Sequence, residues 1–171
     1  MTPIGNLQRK LRILIADDIQ ETRRNTRLMI AALEYAEVVA IASNGRQAVE
    51  MTEEQHPDIV ILDVNMPEMD GYETAQGIKI NHPEIKVLAL SMYDNENSII
   101  RMLKCGAKGY ILKDSEPAEL KAAIEAVMSK GFYYSDLVSG KLIHAINKLD
   151  DDDNGLKSLI QLNDRETDFL K

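Results

Sequence analysis

Arg12-Ile13-Leu14-Ile15-Ala16-Asp17-Asp18, a short aliphatic run closed by two carboxylates, decides the fold. Four apolar residues in a row with no polar alternation describe a strand covered on both faces, the mark of a parallel sheet between two layers of helices. Working outward, four more runs of this kind follow, at 38–42, 59–62, 87–90 and 110–112. Between them the apolar residues recur at helical spacing, as in Thr26, Met29, Ile30 and Leu33 and again in Leu120, Ile124, Val127 and Met128. Asn44-Gly45, Met69-Asp70-Gly71, Cys105-Gly106 and Glu116-Pro117 stand where turns or helix ends are needed. The expectation is an α/β fold, a doubly wound five-stranded parallel sheet of order 2-1-3-4-5 with right-handed crossovers, closing near Ser129. A helix over 136–149 then leads away as part of a C-terminal linker.

Composition narrows the function. The 171 residues suit one domain and a fragment of another. A formal net charge of -8, from 28 acidic and 20 basic side chains, repels nucleic acid and anionic lipid at long range. No apolar run approaches the roughly 20 residues that span a bilayer, and 1–10 lacks the core of a secretory signal, so the expected location is the cytoplasm, away from membranes. The single cysteine, Cys105, excludes an internal disulfide and reads as a packed thiol, and His56, His82 and His144 are too scattered for a zinc cluster.

In an open parallel sheet, ligands bind beyond the carboxyl ends of the strands. Four of the five runs end there in reactive residues: Asp17-Asp18, Asp63, Ser91 and Lys113. Taken singly, a carboxylate after a strand caps a helix and a lysine is solvated; four such residues at adjacent strand ends make a site. Two carboxylates 4 Å apart repel by roughly 4 kcal/mol at an effective dielectric of 20, so a cation belongs among them. Oxygen ligands with room for water and phosphate favour Mg²⁺. Asp63, alone at the end of a central strand, is the natural nucleophile toward a phosphoryl group. Asp17 and Asp18 are placed to hold the metal, and Lys113 to neutralise the added charge.

Ile13-Leu14-Ile15-Ala16-Asp17-Asp18, Ile61-Leu62-Asp63-Val64-Asn65-Met66-Pro67-Glu68-Met69-Asp70-Gly71 and Gly109-Tyr110-Ile111-Leu112-Lys113-Asp114 closely resemble the receiver domain of bacterial two-component response regulators, over residues 9–130. The resemblance implies a CheY-like fold whose Asp63 accepts a phosphoryl group from a partner histidine kinase. It implies Mg²⁺ held by Asp18, Asp63 and the backbone carbonyl of Asn65, with Asp17 acting through water. It further implies that Ser91 and Lys113 engage the phosphoryl oxygens, and that Tyr110 is a switch whose ring turns inward as Ser91 is drawn to the site. Asn65 and Tyr93 stand where members tune hydrolysis of the phosphoryl group, and Ile19 stands where many carry a histidine. No enzymatic activity beyond this self-modification is implied.

After 131 the character changes. Phe132-Tyr133-Tyr134 holds three of the eight aromatic residues, and Asp150-Asp151-Asp152-Asp153-Asn154-Gly155 reads as solvated linker rather than a calcium loop, since it lacks alternating acids and a terminal Glu. Residues 131–161 are thus a helical and acidic linker. Residues 162–171, with Leu162-Asn163-Asp164-Arg165-Glu166-Thr167, resemble the opening of the LuxR-type helix-turn-helix of the NarL/FixJ group. From Asp151 on there are six acidic and three basic residues, so DNA binding is expected only through a full-length helix-turn-helix domain. Dimerisation on phosphorylation is expected through 19–33 and 117–129.

Two rival readings share parts of this pattern. Dehalogenase-type phosphatases place a second Asp two residues after the nucleophile, which Asp17-Asp18-Ile19-Gln20 does not do. A flavodoxin-like carrier needs a hydroxyl- and glycine-rich phosphate loop where this chain has two carboxylates.

Overall fold

A computed structural model describes residues 9–150 of the chain. The acidic run from 151 and the stretch 162–171 that resembles a helix-turn-helix opening lie outside the described residues. Five βα units follow in series: β1 (Leu11–Ala16), α1 (Gln20–Ala31), β2 (Ala36–Ala42), α2 (Gly45–Gln55), β3 (Ile59–Asp63), α3 (Gly71–Asn81), β4 (Lys86–Ser91), α4 (Glu96–Lys104), β5 (Gly109–Leu112) and α5 (Pro117–Lys130). β6 (Tyr133–Tyr134) and α6 (Asp136–Asp150) complete them. The sheet order is β2-β1-β3-β4-β5-β6, every pairing parallel. This is the expected doubly wound sheet with one strand more.

Alternation along the strands builds two cores. Leu11, Ile13 and Ile15, with Ile59, Ile61, Leu88, Leu90 and Ile111, point toward Ile30 of α1 and Leu120, Ile124 and Val127 of α5. Leu14, Val60, Leu62, Val87, Ala89 and Tyr110 point the other way, toward Ala48, Ala75, Ile78, Ile99 and Met102 of α2, α3 and α4. Because both faces are buried, the central strands read in sequence as unbroken aliphatic runs.

Local chemistry sets the helix ends. Asn44, Asp70 and Asn95 each accept a hydrogen bond from the backbone N–H three residues on, capping α2, α3 and α4. Pro117 occupies the first turn of α5, and Gly131, at φ 92°, ends it.

The sixth strand was not expected from the sequence. Tyr133 N–H donates to the Lys108 carbonyl at 2.8 Å, and Gly109 and Tyr110 pair with Tyr133 and Tyr134. Two residues carry no readable period, so this pairing is decided by where α5 returns the chain. Gly109 makes room for it: a Cβ there would lie 3.0 Å from the Tyr133 carbonyl oxygen and 2.8 Å from Leu88 Cδ1. From this edge α6 turns back across α4, burying Val138 and Ala145.

Candidate functional site

Strand register assembles the site. Ala16 pairs with Leu62, Asp63 with Leu90, and Ser91 with Leu112, so Asp17, Asp63, Ser91 and Lys113 emerge side by side at one sheet end. Backbone bonds extend the ladder past the strands: Asp17 N–H donates to Ala42 O at 3.0 Å and Lys113 N–H to Ser91 O at 2.8 Å. The four residue types singled out in sequence are thus brought together, with Asp18 at the exposed mouth and Asn65 on the loop after β3.

Asp17 and Asp63 are almost wholly buried, at 1% and 3% exposure. Lys113 Nζ lies 3.1 Å from Asp63 Oδ2 and 3.3 Å from Asp17 Oδ2. These are ion pairs by distance only. Neither Oδ2 has a hydrogen bond of good geometry, and the ammonium makes one weak bond, of 3.4 Å, to Asp17 Oδ1. The Oδ1 oxygens are better held: Asp17 Oδ1 accepts from Ile19 N–H at 2.9 Å, and Asp63 Oδ1 from Asn65 N–H at 3.2 Å. Two buried carboxylate oxygens without a hydrogen bond are costly unless a cation satisfies them.

Charge tells the same story. Burial, and then the charge of Asp17, push the Asp63 carboxyl from its ordinary 3.8 up to about 7, against the pull of Lys113 and the Asn65 N–H. Three carboxylates and one ammonium leave two net negative charges, which one divalent cation cancels. Carboxylate oxygens of Asp17, Asp18 and Asp63 lie within 4.8 Å of one another, the one such acidic group among the described residues. All-oxygen donors, two of them without a hydrogen bond, fit a hard divalent ion.

Ser91 is fully buried, and its Oγ accepts from Tyr93 N–H at 3.0 Å. Tyr110 is buried with 0% exposure, its ring turned inward and its hydroxyl donating to the Tyr93 carbonyl at 2.6 Å. Burial pushes its phenol up, opposed by the nearby Ser91 hydroxyl.

Two supports escaped the sequence reading. Arg23 donates to the Asp17 carbonyl at 2.9 Å, fixing the turn that aims Asp17; a basic residue on a solvated helix gives no signal of this. Gly71 brings the start of α3 against the end of β3, where a Cβ would fall 2.4 Å from the Asp63 carbonyl oxygen. The glycine was legible as punctuation, its contact with the Asp63 backbone only in three dimensions.

Residues 13–125 match the response regulator receiver domain family. This chain belongs to that family. Among relatives of the receiver, the transcriptional regulatory protein DegU of Brevibacillus brevis is 34% identical over 96% of this chain and 69% of its own. The nitrate/nitrite response regulator protein NarL of Escherichia coli K12 is 32% identical, over 93% and 73%. In three dimensions the receiver is similar to a LuxR-family two-component response regulator from Aurantimonas sp. SI85-9A1, with a TM-score of 0.74 and 29% identity over 79% of this chain and 96% of that one. No helix among the described residues is long and apolar enough to cross a membrane.

Proposed function

We propose that this receiver controls a transcription-regulating, DNA-binding output domain of the LuxR type, by accepting a phosphoryl group on Asp63 from a sensor histidine kinase. The observation that carries this reading is the pair of buried Asp17 and Asp63 oxygens, facing Lys113 at 3.3 and 3.1 Å with no hydrogen bond to either. In the transfer, an Asp63 oxygen bonds to phosphorus as the P–N bond to the kinase histidine breaks. Lys113 moves from sharing two carboxylates to neutralising a group that adds about -1.5 to -2 charges, and the Ser91 hydroxyl donates to one of its oxygens. Asp17, Asp18, Asp63 and the Asn65 carbonyl would hold Mg²⁺, which would supply neutralisation of the phosphoryl charge.

In this reading 9–130 is the receiver, 131–161 the linker and 162–171 the start of the helix-turn-helix domain. The protein works in the cytoplasm, its chemistry is confined to its own phosphorylation and dephosphorylation, and phosphorylation favours a homodimer through α1 and α5. Light scattering with and without a phosphoryl analogue reads the last point; a monomer under both conditions removes it. Incubation with acetyl phosphate and Mg²⁺ followed by intact mass tests the core. One added phosphoryl group, lost in Asp63→Asn, is expected; equal labelling of the variant refutes Asp63 as acceptor.

A further inference from the structure

We propose that β6 and α6 form a clasp over β5 and α4 that phosphorylation tightens. The proposal rests on the reading of Asp63 given above and adds a moving part to it. The clasp is built into the fold. β6 pairs with β5 at Tyr110 itself, Tyr134 being its register partner. Ser135 Oγ accepts from Val138 N–H at 3.2 Å, turning the chain into α6. Val138, at 2% exposure, lies in the same core as Ile99, Met102 and Tyr110, Leu142 packs against that core, Ala145 is buried at 8% exposure, and His144 pairs with Glu96 at the start of α4.

A continuous set of contacts joins the clasp to the phosphorylation site. Ser91 Oγ accepts from Tyr93 N–H, the Tyr93 carbonyl accepts from the Tyr110 hydroxyl, and Tyr110 packs in one core with Ile99 and Val138. The direction of coupling follows from hydroxyl chemistry. A serine hydroxyl has one proton to donate and lone pairs to accept with. While Ser91 accepts from Tyr93 N–H, its own proton, which lies near the Tyr110 hydroxyl, can turn to a phosphoryl oxygen without breaking that bond. A phosphoryl group at Asp63 therefore reinforces the arrangement that holds Tyr110 inward beneath α6, instead of competing with it. The docked face is small: Leu137, Ile143 and Ile146 on α6 remain exposed. A helix so thinly attached opens locally at low cost, which leaves its docking open to bias from the site.

Coupling of this kind is reciprocal, so it can be read from both ends. In the full chain, hydrogen exchange of the 136–150 amides is expected to slow by about five-fold or more when Mg²⁺ and beryllofluoride, a phosphoryl analogue, are added. Val138→Asp, which places a charge against α4, is expected to weaken beryllofluoride binding, measured by calorimetry, by the same factor. Val138→Ala falls between, and unchanged exchange in α1 and α3 shows that the sheet survives. Binding of the analogue with no change at 136–150 overturns the clasp and leaves Asp63 as acceptor, as does undiminished affinity in a folded Val138→Asp. Failure of the wild-type chain both to bind the analogue and to take label from acetyl phosphate overturns both readings.

Discussion

Removing the charge of Asp63 is expected to stabilise this protein, although it destroys the proposed phosphorylation. In the unfolded chain Asp63 ionises near 3.8, and in the metal-free fold near 7. Between those values the fold holds a proton that the unfolded chain has released, so the contribution of Asp63 to stability falls as pH rises and is at its worst above 7. A gap of about three units at about 1.4 kcal/mol each sets a ceiling near 4 kcal/mol at pH 8, more than half of which accrues between pH 5 and pH 8. Asp63→Asn keeps the shape and an acceptor for the Asn65 N–H, but it leaves Lys113 with one carboxylate where it had two. About half the ceiling should survive, roughly 2 kcal/mol at pH 8, which raises Tm by about 4–8 °C in a domain of this size. The assay is thermal unfolding of both proteins in a chelator at pH 5 and pH 8, repeated with Mg²⁺. The variant should melt higher, by a wider margin at pH 8, and added Mg²⁺ should shift wild type more than the variant. A variant less stable than wild type at pH 8, or a margin that does not change with pH, would refute the account of why the carboxyl is strained.

The same site yields two further expectations. Lys113→Ala leaves Asp17 and Asp63 buried together without their cation and should cost about 3 kcal/mol in chelator; denaturant titration reads it, and failure of Mg²⁺ to restore part of the loss would count against a metal site. Gly71→Ala drives a methyl into the backbone of Asp63 and Val64 and should cost about 2–3 kcal/mol; an unchanged melting curve would mean that α3 can back away freely. Far from the site, His56 caps α2 in the left-handed region at φ 46° with its side chain exposed. His56→Gly should therefore stabilise by about 0.5–1 kcal/mol, and a loss of stability would show that its edge contact with the His82 ring outweighs the backbone strain.

Much of this was legible in one dimension. Uninterrupted runs such as Ile13-Leu14-Ile15-Ala16 can be satisfied only by a strand covered on both faces, and the spacing between runs leaves room only for a crossover helix. Parallel order and strand-end chemistry follow, so the sequence alone groups Asp17, Asp63, Ser91 and Lys113. Tertiary structure alone decided how they face each other: that Lys113 sits between two buried carboxylates, at ion-pair distance from both, and that Arg23 and Gly71 hold the Asp17 and Asp63 turns in place. It also decided that Tyr133–Tyr134 extends the sheet and that α6 lies on α4. The physical reason is range. Burial pattern and turn chemistry are properties of neighbours along the chain and leave a periodic trace, whereas an ammonium's place between two carboxylates, or a two-residue strand at a sheet edge, depends on groups far apart in sequence and leaves none.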